Sequence, residues 1–196
     1  MTEDLIEFLK HFDDTLQFGS FVSLDLEMAN SNDLTSLIQI GCIQFTNGPN
    51  WSERKSLNRL VRYLGEFDWY ASKNIHGIRK RDVLQSPSSE TVYRKFKALA
   101  DHTGLIVHYS GRERQVMNAL SNKYGIEKPK AEWLDLHRAV KKRFPEYRKQ
   151  GGGLKAMAEF YGLNLDHHDA YSDALTTAKV FMQLIRELHT HSKTSA

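Results

Sequence analysis

The chain has 196 residues, 40% hydrophobic and 26% charged, with a formal net charge of +3. That length suits one domain with a sizeable core, and the composition excludes a long disordered stretch. Cys42 is the sole cysteine, which excludes an internal disulfide and a thiolate metal cluster, and no apolar run approaches the ~20 residues that span a bilayer.

Residues 2–18 read as an amphipathic helix, with Leu5, Leu9, Phe12 and Leu16 at helical spacing. Its apolar face permits packing on the domain or self-association as a homodimer. Glu3, Asp4, Glu7, Asp13 and Asp14 do not fit a secretory leader, so a reducing cytoplasm is the expected compartment. After Gly19, "FVSLDLEMAN" predicts a strand over about 20–26. Strand side chains alternate, so Asp25 and Glu27 share a face of a mostly buried strand. Two carboxylates placed that way repel and need protons, cationic partners or a metal ion. "SLIQIGCIQF" at 36–45 predicts a second strand with Cys42 as a core thiol, and "TNGP" at 46–49 a turn. "ERKSLNRLVR" at 53–62 completes a meander despite its polarity. No glycine-rich loop of the dinucleotide or Walker type follows the first strand.

Residues 74–87 read as irregular, with short helical turns. A helix is predicted over 88–102, capped by Ser88 or Ser89, with Val92, Phe96 and Leu99 on one face. "TGLIVHYS" at 103–110 is a short buried strand, which makes His108 a packed, hydrogen-bonded histidine. A helix over 113–125 closes at Gly125, and "AEWLDLHRAV" passes from strand into helix. Helices follow at 153–162 and 169–188, then a frayed tail. Strands clustered early, then alternating with helices, predict a three-layer α/β domain with a central mixed sheet.

Chemistry concentrates in two places beyond Asp25 and Glu27. "LDHHDAYSDALTTAKVF" crowds Asp166, His167, His168, Asp169 and Asp173. Asp173 lies at the start of a long helix whose packed side is Ala170, Ala174, Ala178, Phe181 and Ile185. Acids there also answer the free amides and dipole of a helix start, which is an alternative reading of Asp169 and Asp173. Oxygen ligands suit Mg²⁺ or Mn²⁺, and a histidine beside them suits proton transfer near neutral pH. Between Arg138 and Lys149, six cations face one acid, Glu146, and form either a phosphate-binding patch or a solvated face. Trp51, Trp69 and Tyr70 are candidates for base stacking, with core or loop packing the expectation for each.

The blocks "FVSLDLEMANSNDLTSLIQIGCIQF", "NIHGI", "WLDLHRAV" and "GLKAMAEFYGLNLDHHDAYSDALTTAKVF" resemble the DEDD exonuclease superfamily, in its branch with a catalytic histidine. That branch holds the bacterial replicative proofreading subunits and their stand-alone relatives. "DLEM" is also similar to the oligoribonuclease branch, while "HHDAYSDA" is closer to the proofreading type. The resemblance covers about residues 20–187. It implies a ribonuclease-H-like fold in an exonuclease domain at 20–188, after a helical extension at 1–19 and before a flexible tail at 189–196. It implies a hydrolase that uses two divalent ions, Mg²⁺ or Mn²⁺, to remove nucleoside 5′-monophosphates from the 3′ end of single-stranded DNA or RNA. Asp25, Glu27 and Asp173 match its metal ligands, and His168 matches its general base. Asn74, His76 and Gly77 match a loop that approaches substrate.

The family's other acid, within "AHNAxFDxxxL", has no direct counterpart in "VHYSGRERQVMNAL" at 107–120. An ungapped comparison puts Arg114 in its place, a cation that opposes metal binding. A register with the loop shortened by one residue puts Glu113 there, with Met117 four residues on along the packed face. Glu113 is therefore the expected fourth ligand. The rival readings are a nucleic-acid- or partner-binding module without turnover, and a phosphodiesterase of small nucleotides.

Overall fold

β1 (Ser20–Met28) and β2 (Leu37–Thr46) bury residues on both faces, so a sheet containing them must be covered on both sides. In the computed structural model, which describes residues 10–11, 19–46, 51–143, 153–166 and 168–194, helices cover both. β3 (Ser52–Leu60), β4 (Leu105–His108) and β5 (Glu132–Asp135) complete a five-stranded sheet in the order β3-β2-β1-β4-β5. The first three strands pair antiparallel; β4 runs parallel to β1, and β5 to β4. The sheet is therefore mixed, as expected.

The period-two alternation of β1 divides the core. Phe21 faces a layer built from α5 (Leu136–Arg143), α6 (Leu154–Phe160) and α7 (Ala170–Thr194). Val22 and Leu24 face the opposite layer, α3 (Ser89–Ala100) and α4 (Gly111–Tyr124). The α7 alanines Ala170, Ala174 and Ala178 are fully buried against the sheet, with Phe181 edge-on to Phe21. Ser88 caps α3 by accepting from the Thr91 amide, and Gly125 closes α4 in the left-handed region at φ 59°.

β3 is polar because it is an edge strand, and Leu57 is its single buried residue. The region at 74–87 contains one short helix, α2 (Lys80–Val83), in line with the short helical turns expected there, and another, α1 (Trp69–Asn74), runs up to its first residue. α1 buries no residue, so the packing expected for Trp69 and Tyr70 does not occur: they are 69% and 62% exposed. Trp51 does pack, edge-on to Phe21. α7 continues to Thr194, past the predicted helix end at Leu188. The helix predicted at 2–18 (apart from residues 10 and 11), the turn at 46–49 (apart from Thr46, which ends β2), the basic stretch beyond residue 143 and His167 lie outside the described residues. Among the described residues no helix is long and apolar enough to cross a membrane.

Candidate active site

The alternation that puts Phe21 against α7 puts Ser23, Asp25 and Glu27 on that same face. β2 lies beside it with Gly41 opposite Asp25 and Gln39 opposite Glu27. α7 lands on these positions. The Ser23 hydroxyl donates to the Ala174 carbonyl at 2.6 Å. The Gln39 amide donates to Asp169 Oδ1 at 2.7 Å and accepts from the Ala170 amide at 3.4 Å. Gly41 lies so close to the helix that a Cβ there would sit 2.0 Å from the Ala170 carbonyl oxygen. Asp169 accepts from the Ser172 amide, so it serves the helix start, as its alternative reading held.

This docking brings Asp173, in the first turn of α7 and 4% exposed, to Glu27, which is 8% exposed. Ligand atoms of Glu27, His168 and Asp173 lie within 4.8 Å of one another. His168 takes a left-handed backbone at φ 71°, uncommon for a residue with a side chain, and its amide donates to Asp173 Oδ2 at 3.3 Å. His76, from the "NIHGI" loop, is near enough for charge on His168 to disfavour its own; its pKa is lowered, mainly by burial.

Glu113 enters from α4. It is buried, whereas Arg114 is exposed. Aligned on His108, "AHNAxFD" reaches Glu113 with no gap, so the loop needs no shortening. The Ser110 hydroxyl donates to both Glu113 oxygens, at 3.0 and 2.8 Å. His108, 2% exposed, donates from Nδ1 to the Ser110 carbonyl, and that nitrogen lies 3.3 Å from Glu113 Oε2. Sequence reasoning missed Ser110, Gln39 and Gly41. The last two carried a signal: they break an apolar run on the alternation that faces Asp25 and Glu27.

Burial, then the charges of Glu113, Asp173 and Glu27, push Asp25 well above the usual carboxylate range. Burial, then Asp173, Asp169 and Glu113, push Glu27 from 4.5 to about 8. Both shifts say that carboxylates from β1, α4 and α7 share one small volume and favour a cation among them. A carboxyl whose pKa is raised on folding contributes stability below its unfolded value and loses it as pH rises through its folded value. In EDTA, the melting temperature is therefore expected to fall as pH rises from 4.5 to about 8. Added Mn²⁺ should flatten that slope; a slope unchanged by Mn²⁺ would count against cation binding at the cluster.

A family model described as Exonuclease (RNase_T) matches residues 22–181. The chain is 26% identical over 178 residues to a PolC-type DNA polymerase III of Caldanaerobacter subterraneus subsp. tengcongensis, covering 87% of this chain and 12% of that protein. It is 25% identical over 177 residues to the DNA polymerase III subunit epsilon of Aquifex aeolicus, covering 89% of this chain and 85% of that one. A solved full-length 3′-exonuclease superposes with a TM-score of 0.69 at 13% identity, over 86% of this chain and 61% of that one. For a structure of exonuclease I the values are 0.66 and 17%, over 88% and 44%. At these identities the structural likeness establishes the fold.

Proposed function

The chain belongs to the exonuclease family whose model spans residues 22–181, and from that membership we propose a divalent-metal-dependent 3′-to-5′ exonuclease that releases nucleoside 5′-monophosphates from single-stranded DNA or RNA. The observation that carries this reading is the convergence of Asp25, Glu27, Glu113 and Asp173 from three separate elements, with His168 beside them. Crowded oxygen donors that raise one another's pKa fit Mg²⁺ or Mn²⁺, and these four residues would hold two such ions. When bound, the ions supply charge neutralisation at the phosphodiester and activation of water near neutral pH.

The chain's own residues do the rest. His168 accepts the proton of the attacking water at a ring nitrogen. Its backbone conformation and its amide contact with Asp173 fix where the imidazole sits. Glu27 also orients the 3′-terminal hydroxyl. Ser110 and His108 hold the longer Glu113 side chain toward Asp25. Arg114 is the best support for a module without turnover, and its exposure leaves it outside the cluster.

The test uses 20-mers of single-stranded DNA and RNA labelled at their 5′ ends, with Mn²⁺, Mg²⁺ or EDTA. A metal-dependent ladder shortening from the 3′ end is expected; no cleavage of either polymer with either metal would reject the reading. His168→Asn should lower kcat roughly 10²- to 10⁴-fold with Mn²⁺ affinity retained. Loss of Mn²⁺ affinity in that variant would make His168 a ligand instead. Glu113→Ala should lose turnover while Arg114→Ala keeps it, and the reverse pattern would sink the Glu113 assignment.

A further inference from the structure

β3 carries Glu53, Arg54, Lys55 and Arg59 on an exposed edge, and their distribution between its two faces is uneven. The register between β2 and β3 shifts at Gln44 and Phe45, so that Gln44 pairs with Lys55 and Phe45 with Glu53, leaving Arg54 as the extra residue of a bulge. Phe45 belongs to the α7 side, and the bulge carries Glu53 there, where the Tyr171 hydroxyl donates to both its carboxylate oxygens at 3.1 and 3.2 Å. The strand's single acid is thereby removed from the face that packs toward α3. Arg54 and Lys55 line one groove on that face, together with His102 from the end of α3; Lys55, Arg59 and Lys95 line the next. The two grooves share Lys55, Ala98 and Leu99, so they form one trough between β3 and α3.

No acid lines this trough among the described residues. The other α3 cations are neutralised, Arg94 by Glu90 at 2.8 Å and Lys97 by Asp101. Arg54, Lys55, Arg59 and Lys95 make no ion pair among the described residues. Four unneutralised cations in a chain whose net charge is +3 are a local concentration. Leu57, Ala98 and Leu99 form the floor beneath these cations. A row of cations with no acid among them suits a phosphodiester backbone.

We infer that this trough is a second nucleic-acid contact, which grips the backbone of a long substrate upstream of the 3′ end. The inference rests on the exonuclease reading. Glu27 pairs with Gln39 and Gln39 with Leu60, so the backbone at Arg59, at the head of the trough, is two strand spacings, about 10 Å, from the backbone at Glu27, with its side chain on the other face of the sheet. Lys55 lies four residues, about 13 Å, further along. A strand leaving the catalytic cluster reaches the trough by turning round the β3 edge. Lys10 and His11 lie well away from that path, with His11 bonded to Glu132 at the opposite edge of the sheet.

The test compares the full chain with its Lys55→Glu/Arg59→Glu/Lys95→Glu variant by fluorescence anisotropy of a labelled single-stranded 20-mer in EDTA, which stops cleavage. The variant is expected to bind about tenfold or more weakly. Its slope of log affinity against log salt should be shallower by about 2, at ~0.7 for each phosphate that the cations no longer neutralise. In Mn²⁺, the advantage in KM of a 20-mer over a trinucleotide should collapse in the variant. Unchanged affinity and slope would overturn the inference and leave the trough to an acidic protein segment. No cleavage of either length by the unaltered protein would sink the exonuclease reading instead, and the anisotropy comparison would still judge the trough.

Discussion

Asp25→Ala is expected to lower nuclease turnover by about 10³-fold and, at the same time, to raise the melting temperature of the metal-free protein. Asp25 is the group that Glu113, Asp173 and Glu27 all act upon, so its loss relieves repulsion within the cluster. On the proposed reading, the same loss also removes a carboxylate that would hold the cation. Forfeiting about 4 kcal/mol of transition-state charge stabilisation corresponds to a fall in kcat on the order of 10³-fold. The two effects have opposite signs, which separates a functional acid from a structural one. An Asp25→Ala protein that melts lower in EDTA and still cleaves would reject the assignment. Calorimetry in EDTA and in Mn²⁺ reads the first effect, and the 3′-end ladder reads the second.

Gly41→Ala is expected to be the most damaging single methyl group in the described fold. Its Cβ would lie 2.0 Å from the Ala170 carbonyl oxygen and 2.4 Å from the Tyr171 nitrogen, both of them backbone atoms. No side chain can swing away to relieve that overlap, so α7 has to lift from the sheet. Overpacking of this kind costs about 3 kcal/mol. In a chain of this size that lowers the melting temperature by about 6 to 12 °C. Catalysis should fall with it, because α7 carries Asp173 and its displacement loosens the hydrogen bonds of Ser23 and Gln39. Gly111→Ala is the matched control: its Cβ would meet Asp135 Oδ2 at an ordinary 3.6 Å, so its melting temperature should stay within a degree or two. Equal melting temperatures for the Gly41 and Gly111 variants would refute the close docking of α7.

Much of this was legible in the residue pattern. Apolar alternation located β1, β2 and β4, and the alanine stripe of α7 marked its buried face, because burial selects side chains directly. Asp25 and Glu27 stood out because charge within a buried strand is costly. What stayed hidden depended on relations between elements. Gly41 is an ordinary strand glycine until α7 lies over it. The bulge that turns Glu53 away from Lys55 is set by pairing with β2, which β3 alone cannot show. Trp69 and Tyr70 look like core residues by type, yet they sit on a six-residue helix with no buried face. Glu113 needs no gap to reach its place, and burial separates it from Arg114 more simply than register does.

The bond from Ser23 to Ala174 joins residues 151 apart, and it ties α7 to the first strand of the sheet. Pairings so distant in sequence form only after a large loss of chain entropy, and they make folding slow. A nascent chain emerging from the ribosome therefore presents Asp25, Glu27 and Glu113 long before Asp173 is synthesised. In that interval the acids of β1 and α4 lack their partner on α7. On the proposed reading, completion of the hydrophobic layer and completion of the nuclease are one event, and a prematurely terminated chain is expected to be inert.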